Sequence, residues 1–139
     1  MPVRIGSSAV FLFVFASAGF IILTALGADL PPEDTSMVVI QGRQFIPDRT
    51  VLQRGRRTLL LFKNQDAELH TVVPFGLFAG MSPAVTGNSA VEFEGEAFKR
   101  VIIPPDGTAG FQFTPAEAGD YRYICDMPGH DMKAMIVVE

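Results

Sequence analysis

The sequence predicts an all-β sandwich, and three observations carry that expectation. After residue 36 the chain breaks into short apolar runs of strand length, turn residues separate them at close intervals, and no amphipathic helix longer than two turns can be drawn. Each run can be placed in order. Met37 to Gln41 is closed by Gly42, and Thr50 to Gln53 by Arg54-Gly55. Thr58 to Lys63 (TLLLFK) reads as a core strand, and His70 to Val73 as a β-branched run ended by Pro74. Val101 to Ile103, Gly110 to Thr114, Tyr121 to Cys125 and Ala134 to Val138 complete the set. In GFQFT and YRYIC apolar and polar residues alternate, as a strand with one buried face requires. The turns are Pro104-Pro105-Asp106-Gly107, Pro115 through Gly119, and Pro128-Gly129.

Two regions stand outside this rhythm. Ala9 to Ala28 is an uncharged stretch of 20 residues, and at about 1.5 Å per helical residue it matches a hydrocarbon core of roughly 30 Å. It supports two readings, a signal peptide with Arg4 in its n-region or an uncleaved anchor, and its length favours the anchor. Either reading sends the rest of the chain out of the cytoplasm, to the periplasm or its equivalent, with Arg4 left inside. The expected organisation is therefore an anchor or signal over 1–28, a proline-bearing linker over 29–36 and one domain over 37–139. The second region, Pro74 to Arg100, is a 27-residue insert with Phe, Gly and Met in its first half and Glu92, Glu94 and Glu96 in its second. The glutamates are expected on an exposed strand face or a charged sheet edge, with partner docking as the other reading.

Charge and residue counts narrow the chemistry. Beyond Arg4 the chain has 10 basic and 15 acidic residues, a formal charge of −5. That balance gives no reason to expect nucleic-acid binding, which rewards clustered Lys and Arg. The single cysteine, Cys125, can form no internal disulfide on the oxidising side of a membrane, so it is expected buried or ligated.

Cys125, His130 and Met135 form a C-x4-H-x4-M series between the last two expected strands, and the only other histidine, His70, follows the TLLLFK strand. A thiolate, two imidazoles and a thioether make a soft donor set that suits copper in both oxidation states. With both histidines committed, no imidazole remains for a second metal, and one cysteine cannot bridge a dinuclear centre. Zinc is a poor match for methionine. No Ser or Cys triad can be assembled, so an enzyme with a small-molecule substrate is not expected.

The segments YICDMPGHDMKAM and KNQDAELH resemble the C-terminal ligand loop and the first-histidine segment of the cupredoxins, the small blue copper proteins; the C-x4-H-x4-M spacing is similar to that of rusticyanin-like members. The resemblance covers roughly residues 37–139. It implies an eight-stranded Greek-key sandwich with one copper at a pole, held by Cys125, His70 and His130, with Met135 as the weak axial ligand and the Leu69 carbonyl opposite. Met132 is expected to lie too close to His130 to reach the axial position if the strand begins there. Asn64 and Asp66 precede His70, a pattern that resembles the family's first-histidine segment. Thr71 stands where many members carry Asn or Asp, and its hydroxyl is expected to bond the cysteine loop. The function implied is single-electron shuttling between redox proteins such as a cytochrome or an oxidase. The alternative is a periplasmic copper carrier or resistance protein that does not cycle. Phe75, Leu77, Phe78, Met81, Met127 and Pro128 are read as an apolar collar around His130 for a docking partner, with a core role for the phenylalanines as the competing expectation.

Overall fold

The computed structural model describes residues 31–139, and the 9–28 segment lies outside them. Eleven strands make two sheets, and no helix occurs among the described residues. Strands β1 (Asp34–Ile40), β2 (Phe45–Ile46), β4 (Thr58–Asn64), β6 (Ala84–Thr86) and β9 (Thr108–Phe113) form one sheet in the order β2-β1-β4-β9-β6. The other has the order β3-β11-β10-β5-β8-β7, from β3 (Arg49–Leu52), β5 (His70–Pro74), β7 (Ala90–Glu94), β8 (Ala97–Ile103), β10 (Gly119–Cys125) and β11 (Met132–Val138). The eight runs read from the sequence are all strands. The three additional ones, β2, β6 and β7, are short or lie inside the 74–100 insert. Strand β1 begins at Asp34, within the stretch read as linker.

Alternation explains the layers. On β4, Thr58, Leu60, Phe62 and Asn64 point inward, and on β11 Met132, Ala134, Ile136 and Val138 do the same. Between the sheets Phe62 packs edge-on against Phe111 and Tyr123, with ring centroids 5.9 and 5.5 Å apart, an arrangement that aligns ring edges with ring faces. The chain repeatedly changes sheets, so β1 runs parallel to β4 and β3 parallel to β11. This winding brings the ends of β1, β4, β8 and β10 and the starts of β5 and β11 to one pole.

The insert is part of the sandwich. Its second half is the β7–β8 hairpin, and β7 is the edge strand of its sheet. Glu94 and Glu96 are exposed there, while Glu92 pairs with Arg100 across the hairpin at 2.6 Å. The glutamates thus form the charged edge that the sequence suggests, a device that discourages pairing with another sheet.

A buried thiolate and imidazole centre at one pole

Two strands and a loop carry the donors at this pole. Cys125 ends β10 and His70 starts β5, and their residues are 3% and 0% exposed. His130 comes from the loop between β10 and β11. There Met127-Pro128-Gly129-His130 makes a turn closed by the His130 amide donating to the Met127 carbonyl at 3.0 Å, with Gly129 at φ +79°. Proline followed by a glycine at positive φ is the type II arrangement, and a side chain at that glycine's position would be strained. The turn folds His130 back toward the strand end it has just left.

The resulting geometry is compact. Cys125 Sγ lies 3.5 Å from His130 Nδ1 and 3.8 Å from His70 Nδ1, and one donor atom from each residue falls within 4.8 Å of the others. The two rings are 4.9 Å apart, centroid to centroid. Both imidazoles therefore turn the same nitrogen inward and leave Nε2 facing outward.

Carboxylates meet those outer nitrogens. Nε2 of His70 lies 2.8 Å from Oδ2 of Asp66. An ionised carboxylate only accepts, so the His70 Nε2–H donates to Asp66, and Nδ1 is the ring nitrogen turned toward the sulfur. Asp66 stays ionised: burial pushes its carboxyl upward, but bonds from the Arg43 and Gly42 amides and from His70 outweigh that and hold it below its ordinary value. Oε2 of Glu68 stands 3.6 Å from Nε2 of His130. Glu68 in turn accepts from the Arg43 guanidinium at 2.8 Å, which holds its carboxyl below the usual range.

Asn64 and Thr71 lie next to this cluster. Asn64 is fully buried, and its side-chain NH2 donates to the carbonyls of Glu68, Ile103 and Pro104 at 2.8, 3.2 and 3.0 Å. Its Oδ1 accepts from the Asp66 amide. It thereby ties the 65–69 loop to the neighbouring turn. Thr71 spans to the cysteine loop: its amide reaches Cys125 Sγ at 3.4 Å, and its hydroxyl accepts from the Asp126 amide at 2.9 Å. The same hydroxyl lies 2.7 Å from Oδ1 of Asp126, whose other oxygen pairs with Arg100 at 2.8 Å. Leu69 has an exposed side chain at the rim.

Two expectations are corrected. Met135 is the cross-strand partner of Arg122, on the opposite face of β11 from the buried Met132, Ala134 and Ile136. Met132 pairs directly with Cys125 and is 4% exposed, so it is the methionine that the strand register puts on the buried face beside the thiol. The strand does begin at Met132, but its proximity comes from cross-strand register and requires no swing out of the loop. The collar fails for a similar reason. The Phe75 amide bonds the Arg122 carbonyl, three residues down β10 and about 10 Å from Cys125 along the strand. Leu77 and Phe78 are core residues, Phe78 packing on Phe98, Phe111 and Phe113. Met81 lines a small cavity with Tyr121 and Val138, toward the opposite end of β11 from Met132. Of that group only Met127, partly buried against the core, and Pro128, exposed, stand in the ligand loop.

The donor chemistry fits copper: the sulfur of Cys125 and the Nδ1 atoms of His70 and His130 come together, with Met132 buried on the same face, while Asp66 and Glu68 meet the imidazoles at their outer nitrogens. Copper bound here would supply one-electron redox chemistry, and the protein's part is to hold the donors in one arrangement. A β-sandwich with this donor set at one pole defines a mononuclear copper protein. The chain belongs to the cupredoxin-like domain family, whose model matches residues 8–138.

Similar solved structures agree on the fold. Auracyanin B has 18% identity, covering 80% of this chain and 92% of that one, with a TM-score of 0.58. Auracyanin A, a blue copper protein from the green thermophilic photosynthetic bacterium Chloroflexus aurantiacus, has 22% identity over 76% and 98%, with a TM-score of 0.55. A reduced Cu(I) form of an amicyanin variant has 23% identity over 81% and 88%, with a TM-score of 0.52. No curated protein sequence matches the chain significantly.

Proposed function

We propose that the protein carries single electrons through Cu(I)/Cu(II) cycling between redox proteins, a cytochrome or an oxidase among them, outside the cytoplasmic membrane. The observation that carries this reading is the buried Cys125, His70 and His130 cluster with both Nδ1 atoms directed at the sulfur. A donor set held by strand ends and an outer hydrogen-bond frame has little freedom to rearrange, which suits an ion whose two oxidation states prefer different geometries. Burial of all three donors also speaks against a carrier that hands its metal over, because release would require opening the pole. The uncharged 9–28 segment supports tethering to the membrane.

The test is the visible spectrum of the full chain in detergent, loaded with Cu(II) and titrated with ascorbate. An intense thiolate-to-copper band that bleaches on reduction and returns on reoxidation is the expected result. A protein that binds only Cu(I), or whose colour survives Cys125→Ala, would overturn the reading in favour of copper carriage.

A further inference from the structure

The loop joining β1 to β2 touches no donor atom, yet both imidazoles depend on it. Gly42 and Arg43 sit at φ +60° and +56°, and Gln41 and Gln44 exchange backbone hydrogen bonds across them at 3.1 and 3.2 Å. Two central residues at positive φ make a type I′ turn, whose twist matches the flanking strands. A non-glycine residue there is uncommon. The turn directs its two amides at one carboxylate: Gly42 donates to Oδ1 of Asp66 at 2.7 Å and Arg43 to Oδ2 at 3.0 Å. That carboxylate holds His70. The Arg43 guanidinium runs on to Glu68, whose Oε2 faces His130.

We propose that this two-residue turn is the outer frame of the copper centre, with Arg43 a positioning residue that acts on His70 through Asp66 and on His130 through Glu68. The division of labour is specific. The backbone of the turn serves His70, by a chain of short hydrogen bonds. The Arg43 side chain serves His130, by fixing where the Glu68 charge stands. A negative charge facing the outer edge of a ligand imidazole favours the more positive metal state, so Glu68 shifts the centre toward Cu(II). Asp66 does the same from the other side. The inference rests on the copper reading above, and it adds Arg43 and Glu68, which sequence spacing does not single out.

The experiment uses the full chain in detergent, with the thiolate-to-copper band recorded first. Absence of that band in the unaltered protein would defeat the copper reading, and this proposal with it. With the band present, Glu68→Gln keeps shape and removes charge, and Glu68 is 39% exposed on its side chain, so the fold tolerates the change. Equilibrated in one redox buffer, Glu68→Gln should raise the Cu(I)-to-Cu(II) ratio about tenfold. Arg43→Met should broaden the His130 ring signals in nitrogen-15 spectra of the Cu(I) protein and leave those of His70 sharp, because the turn amides remain. An intact band with an unchanged ratio in Glu68→Gln, or His130 signals unaltered in Arg43→Met, would overturn the proposal while leaving the copper reading in place.

Discussion

Met132 stands directly across the β10–β11 ladder from Cys125, and both side chains are buried on the inner face. Met135, three residues on, belongs to the other face and lies opposite Arg122. The two methionines therefore separate cleanly by substitution. Met132→Leu should alter the thiolate-to-copper absorption and the reduction potential, since the axial position tunes both. Met135→Leu should leave both unchanged. Met132→Ala should also cost about 2–5 kcal/mol in chemical denaturation, as removal of a buried methionine does.

Asn64 joins three carbonyls with one NH2 group, sharing two hydrogens among them. Asn64→Ala leaves those acceptors buried and short of donors, and should destabilise the fold by about 3 kcal/mol. It also frees the loop that carries Asp66 and Glu68, so copper should be lost faster to a chelator. Urea denaturation of the metal-free protein and a chelator competition on the loaded one measure the two effects separately.

Phe75 and Phe78 differ in place and so in consequence. Phe78→Ala should cost about 3–5 kcal/mol, because its ring contacts three other core rings. Phe75 is exposed and lies under the Arg122 guanidinium at 5.3 Å, so Phe75→Ala should cost under about 1 kcal/mol. Neither change should move the copper spectrum, because neither ring belongs to the pole.

Asp126 gives stability a pH dependence with a defined sign. Burial alone would raise its carboxyl, but the Thr71 bond and the Arg100 pair hold it below its ordinary 3.8. A depressed folded value means that the unfolded chain binds the proton first as pH falls. The contribution is therefore complete well above pH 3.8 and fades as pH falls through and below that value. In denaturation of the metal-free protein, the gap between the natural chain and Asp126→Asn should be under about 1 kcal/mol near neutrality and should close in acid. A gap that widened on acidification would contradict the ion pair's role.

Much of this is legible in the sequence. Strand runs show in sequence because burial on one face imposes a period of two, as in TLLLFK and YRYIC, and turns show because Pro and Gly are chemically distinct. Cys125, His130 and His70 stand out through scarcity, one thiol and two imidazoles in the chain. Asp66 enters only as part of the KNQDAELH resemblance, and Glu68 and Arg43 do not stand out at all. They are ordinary charged residues among many, and the only local hint is the proximity of Asp66 and Glu68 to His70. Arg43 lies more than 20 positions away from the carboxylates it organises.

The misplacement of Met135 has the same origin. Counting from Cys125 orders residues along the chain, whereas ligation follows register across it, and one residue of register exchanges the two faces of a strand. Likewise the insert's phenylalanines can be read from sequence as collar or as core, and their neighbours separate the two, Phe78 in the core and Phe75 exposed. The sequence by itself determined the β class, the soft donor set and the loop that carries most of it, because those follow from composition and local periodicity. Tertiary structure alone decided which methionine faces the thiolate, that Phe78 serves the core, and that a distant turn frames both imidazoles. Those outcomes depend on how strands pair and wind, and such long-range contacts leave no periodic trace in the chain.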